Sequence, residues 1–163
     1  MIKFIKQLIV AYNRLNRFIP RHLQIAFDEL GETEVRGVRS NSRIIEYLST
    51  CDMRPDSDEI AWCSAFVNWV IISDGKIGTD NLLARSWLNW GKTIVKPRLG
   101  CVAIMKRGTK EWQGHVGFYL DSNNGVVFIL GGNQSDRVGV NGYKEDSILG
   151  YRWFKEESIN IRS

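Results

Sequence analysis

The chain is poor in the residues that staple small folds or bind metals, with three cysteines and two histidines among 163 residues. Cys51, Cys63 and Cys101 are odd in number and none stands three positions from another, which excludes a fully paired disulfide framework and a CxxC metal clip. At least one thiol stays free. His22 and His115 are the only imidazoles, too few for a zinc site of clustered His and Cys, so no metal is expected. No stretch approaches the roughly 20 apolar residues that a membrane-crossing helix needs. The N-terminal apolar run is interrupted by Lys6 and followed by Asn13, Arg14, Asn16 and Arg17 without a small-residue cleavage site, so a cleavable export signal is not expected either. Low-complexity runs, internal repeats and interdomain linkers are also lacking.

What is present is the composition of a folded domain, 44% hydrophobic and 25% charged. The length suffices to bury a core without covalent staples. The formal charge of +4 favours polyanionic neighbours such as nucleic acid, lipid headgroups or an acidic bacterial wall, without choosing among them. Residues 1–20 read as an amphipathic helix, with Ile5, Leu8, Ile9, Tyr12 and Leu15 on one face, ending near Pro20. Such a helix either docks on its own domain or binds a membrane surface or partner. Residues 21–163 are expected to form a single domain.

Helical patterns fill the first half. "HLQIAFDEL" stops at Gly31, and "SNSRIIEYLSTC" opens on capping residues. From residue 62 the helical template reads Trp, Ala, Phe, Trp, Val, Ser, which predicts a buried helix. Thr79 and Asp80 are suited to cap a further helix, "NLLARSWLNW", ended by Gly91. After Pro97 come short β-like runs, "CVAIM", "HVGFYL", "VVFIL", "RVGV" and "ILGYRWF", with "DSNNG" as a hairpin turn. Helices followed by antiparallel strands make an α+β domain.

Within "DEIAWCSAFVNWV", Cys63 opens the buried helix, where first-turn amides can lower a thiol pKa and make the sulfur nucleophilic. The competing reading is a packed thiol beside Trp62 and Ala65. A reactive cysteine needs an imidazole to accept its proton and a third group to orient the ring. His115 begins "HVGFYL", where His115, Gly117 and Tyr119 share one side and Val116, Phe118 and Leu120 the other, core-facing one. His115 is therefore expected at an accessible rim, and His22 as a structural or solvated side chain. The third group falls in "LGGNQ", as Asn133 or Gln134, on the return strand of the hairpin. Asp58 and Glu59 complement the start of the cysteine helix, with a supporting role at the site as the alternative. Trp62, Trp112 and Tyr119 are candidates for lining a substrate groove, although most of the six tryptophans are expected in the core.

The phrases "WCSAFVNWV", "ARSWLNWG", "GHVGFY" and "LGGNQ", in this order, resemble the small bacterial and phage hydrolases of the CHAP and NlpC-like papain-fold group. The likeness runs over residues 24–152. It implies a papain-like α+β fold and cleavage of an amide bond in peptidoglycan, by an N-acetylmuramoyl-L-alanine amidase or peptide endopeptidase route, with no cofactor. Matched residue by residue, Cys63 takes the place of the nucleophile, His115 of the base and Asn133 of the orienting residue, with Gln134 in reserve. Where the group usually reads Gly-Asp, this chain has Gly100 and Cys101, and Cys101, like Cys51, is expected as a small buried hydrophobe. The implied partner is peptidoglycan, with no specific nucleic acid, and an immunity protein if the chain is an effector. The implied place of action is the periplasm or wall, reached from the cytoplasm by phage lysis or a secretion machine. Two alternatives stand beside this: a cysteine protease or deamidase toxin acting on a target protein, and a non-catalytic wall-binding domain.

Overall fold

The computed structural model describes residues 19–35, 41–52 and 61–155. The helix expected over 1–20 and the acids Asp58 and Glu59 lie outside the described residues. Three α-helices, α1 (Arg21–Asp28), α2 (Ser42–Leu48) and α3 (Cys63–Ser73), precede six strands: β1 (Lys92–Ile94), β2 (Val102–Lys106), β3 (Gly114–Asn123), β4 (Val126–Gly131), β5 (Gly139–Lys144) and β6 (Ile148–Trp153). The strands form one antiparallel sheet in the order β1-β6-β2-β3-β4-β5. This is the α+β architecture anticipated from the sequence.

Helix α3 is apolar all round, and eight of its eleven residues are buried, so it can only exist between layers. It packs against α1, α2 and the face of β3 that carries Val116, Phe118 and Leu120. Alternation along β3 thus works as expected. The opposite face is not bare, however. Cys101, Ala103, Met105, Tyr119, Val127 and Ile129 form a second apolar cluster there, flanked by Tyr143, Tyr151 and Trp153. Cys101 and Cys51 are both buried, as small hydrophobes would be.

Local chemistry explains most element ends. Asn41 caps α2, its side chain accepting from the Arg43 N–H at 2.8 Å. The β3–β4 hairpin turns on Asn124 and Gly125, both with positive φ, the pairing that a two-residue hairpin of this twist demands.

The segment 81–90 departs from expectation, holding only a 3-10 turn over Ala84–Asn89. The amides of Thr79 and Asp80 are bound by the side-chain oxygen of Asn68, at 2.7 and 3.1 Å, and Asp80 is left-handed. Ser64 donates to the Asn81 carbonyl at 2.6 Å and accepts from the Trp87 indole at 2.9 Å. Backbone tied to α3 in this way cannot wind into an α-helix. "RVGV" also shifts, because Arg137 and Val138 pair with the 31–33 segment and the strand starts only at Gly139. β1, three residues at the sheet edge, is too short to leave a periodic signal.

Asn68 is fully buried, accepts from two amides, and donates to the Ser64 carbonyl at 3.0 Å and the Thr79 hydroxyl at 3.1 Å. Asn68→Ala strands several buried polar groups, so urea unfolding should show a loss of about 3 kcal/mol.

Candidate active site

Cys63 is the first residue of α3, after Trp62, whose backbone makes the helix entry. The backbone N–H groups of Val116, of Ser64 and of Cys63 itself act on its sulfur in favour of the thiolate. The Val116 nitrogen is bonded to the His115 carbonyl carbon, so the thiol abuts the strand directly beside the histidine. Yet the residue is only 2% exposed. Burial pushes the thiol pKa up, and the three amides together with the positive charge of Arg107 only partly oppose it. The expectation of a helix-lowered pKa is corrected here: desolvation outweighs the first-turn amides, and at neutral pH the sulfur is a thiol.

His115 faces Met105 across β2–β3 and belongs to the sheet face away from α3. It too is 2% exposed, so the accessible imidazole expected from the strand pattern is also corrected. The reason is that a side chain of β5, two strands away in the same sheet, reaches over this face. The Tyr143 ring stacks on the imidazole at 5.5 Å with an interplanar angle of 27°. Burial first, then the Arg107 charge, push the imidazole pKa down to about 4, with the Gln134 amide acting weakly the other way. The amide lies close, but neither ring nitrogen has a hydrogen bond of acceptable geometry. The ring is thus neutral through the physiological range and able to accept a proton.

Asn133 and Gln134 follow β4 in a turn where Asn133, Ser135 and Asp136 all have positive φ. Asn tolerates that conformation better than most residues, which accounts for its presence. Asn133 is half-buried at the pocket, while Gln134, 3% exposed, sits beside the ring. The Gln134 amide nitrogen donates to the carbonyls of Ile129 and Gly131, each at 3.2 Å, and to that of Gly139. Its oxygen accepts from the Tyr143 hydroxyl at 2.6 Å. Gly132 lets this turn reach the cysteine helix, since a Cβ there would stand 2.5 Å from Trp62 and 2.7 Å from Phe66.

The groove candidates fare unevenly. Trp62 is fully buried beneath Gly132, its indole donating to Glu34 at 3.2 Å, so it cannot line a groove. Tyr119 is buried in the second apolar cluster and does not line the pocket over His115. Trp112 is 59% exposed on the β2–β3 loop. His22 is structural, its Nε2 within 2.8 Å of the Gly100 carbonyl and its ring among Phe118, Trp153 and Phe154. Sequence reasoning missed Tyr143 and Arg107. Nothing in "NGYK" or "MKRG" marks either, because strand pairing alone brings them to the histidine.

A pocket of about 180 Å³ opens over His115, lined by Lys106, Arg107, Asn133, Gln134, Asn141 and Tyr143 among others. Among the described residues no three His, Cys, Asp or Glu side chains converge as metal ligands would, and no helix is long and apolar enough to cross a membrane.

A helix that begins at a cysteine and packs on an antiparallel sheet bearing a histidine defines a papain-like α+β protein. Its fold matches that of an NLP/P60-family protein, described as similar to lipoprotein, from Staphylococcus aureus subsp. aureus Mu50, with a TM-score of 0.52 and 16% identity. The match covers 85% of this chain and 42% of that one, so the chain spans less than half of its structural neighbour. The CHAP domain family matches residues 55–133, which include Cys63, His115 and Asn133. In its fold and over this stretch the chain is similar to the CHAP/NlpC-like group. No curated protein matches it.

Two outcomes follow from the burial. Since the His115 pKa falls from 6.5 unfolded to about 4 folded, the unfolded chain binds the extra proton between those values. Stability is therefore full above about pH 6.5 and is lost as pH falls toward 4, by up to about 3 kcal/mol. Denaturant titrations across that range should show the slope, and His115→Gln should reduce it to the part left by His22, whose pKa burial also lowers. Iodoacetamide should alkylate Cys63 at least about tenfold more slowly in the native protein than in the denatured chain at the same pH, read by peptide mass spectrometry.

Proposed function

We propose that the protein is a cysteine amidohydrolase of peptidoglycan, cutting an amide bond as an N-acetylmuramoyl-L-alanine amidase or a peptide endopeptidase. The observation that carries this reading is the seating of the Cys63 sulfur on the Val116 amide, next to His115, within the stretch that matches the CHAP family. In the first step, once the site has opened and brought ring and sulfur together at the end of β3, the neutral His115 imidazole takes the thiol proton while sulfur bonds to the peptide carbonyl carbon. The amides at the start of α3, including that of Cys63, receive the developing oxyanion. The imidazolium then protonates the departing amine as the carbon–nitrogen bond breaks. Water, deprotonated by His115, attacks the thioester, releasing the acid and restoring the thiol. Gln134, held by Tyr143, is the better placed of the two candidates to steady the ring, and Asn133 shapes the turn that delivers it. No step calls for a cofactor.

A sulfur 2% exposed cannot attack a polymer, so catalysis on this reading includes an opening that bares it. The same burial favours a second reading, a wall-binding domain whose thiol merely packs. On either reading the ligand is the bacterial wall, reached by phage lysis or secretion, and an effector would have an immunity protein in its producer.

Incubation with purified sacculi separates the two. The hydrolase releases soluble muropeptides with new amine and carboxyl termini, seen by mass spectrometry, and Cys63→Ala or His115→Ala lowers the release by at least about a hundredfold while the fold persists. Binding to sacculi without release, unchanged in Cys63→Ala, would establish the wall-binding domain instead.

A further inference from the structure

The pocket over His115 has a chemical bias that amide hydrolysis alone does not require. Lys106 ends β2 and Arg107 follows it, directly past Met105, the cross-strand partner of His115. Both are exposed and line the pocket, and among the described residues neither side chain makes an ion pair or a hydrogen bond. Among the described residues no acidic side chain lines it. The remaining walls offer amides and hydroxyls, from Asn133, Gln134, Ser135, Asn141 and Tyr143. Into this space points an imidazole with both nitrogens buried and unpartnered. The charge of Arg107 reaches Cys63, His115 and Tyr143 alike, which puts it close to where the chemistry would occur.

Two cations over a pocket whose described lining holds no carboxylate make a receptor for an anion. A guanidinium suits a carboxylate in particular, as it can offer two parallel N–H donors. The volume, about 180 Å³, accommodates a carboxylate with its neighbouring atoms. We propose that Arg107, assisted by Lys106, binds a free carboxylate of the peptide stem, within about one residue of the scissile amide. This rests on the reading of the site as a peptidoglycan hydrolase and names what it selects: stems with free carboxylates over those whose carboxylates are amidated.

The test is a calorimetric titration of the Cys63→Ala protein, which binds without turnover, with one stem peptide in free-acid form and in fully amidated form. The free acid should bind about tenfold more tightly, with the preference shrinking as salt rises. Adding Arg107→Ala should erase the preference, and Arg107→Lys should keep part of it. Arg107→Gln serves as a second variant, and matching thermal melts exclude misfolding. Equal binding of the two forms, no binding of either, or a preference that survives loss of Arg107 would overturn the subsite. Sacculus cleavage by the unsubstituted protein without discrimination leaves the hydrolase and removes the subsite, whereas discrimination without cleavage does the reverse.

Discussion

Everything near the site is placed by the burial of α3 on β3. A helix with Phe66, Val67, Val70 and Ile71 all inaccessible has no stable position except between α1, α2 and the sheet. Once it is there, its first residue is driven against the strand at Val116, and the turn after β4 closes over Trp62 through Gly132. The contact of one cysteine with one strand amide is thus a consequence of apolar packing along the whole helix rather than of any bond at its tip. The hydrogen bonds of Ser64 and Asn68 to the 79–87 segment then fix the helix against sliding.

The same packing sets the electrostatics. Desolvation is the largest influence on both Cys63 and His115, raising one pKa and lowering the other, so the resting pair is neutral on both sides. An ion pair of thiolate and imidazolium would have to be created in a medium that penalises each charge. Arg107 stabilises the thiolate and destabilises the imidazolium, so it shifts the balance between the two without favouring the pair. Tyr143 and Gln134 form a polar brace on the far side of the ring, with the Gln134 amide fully engaged by three carbonyls and a phenol.

Much of the fold was legible in the chain because period and turn chemistry carried it. The capped α2, the all-apolar α3 and the Asn124-Gly125 hairpin each depend on neighbours in sequence. The failures share a cause. The 81–90 stretch looks helical until Asn68, more than ten residues upstream, takes its capping amides, and "RVGV" looks like a strand until the 31–33 segment claims its first half. At the site, Ser64, Asn68 and Gly132 within "WCSAFVNWV" and "LGGNQ" serve packing.

The sequence by itself determined the residue types, the order of elements and the alternation that puts Val116 toward the helices and His115 away from them. Only the tertiary structure decided that Cys63 and His115 are both sealed, that Trp62 is core, and that Tyr143 and Arg107 attend the histidine. Exposure and electrostatic environment are sums over atoms from distant parts of the chain, and no local pattern encodes which side chain will lie across a given ring.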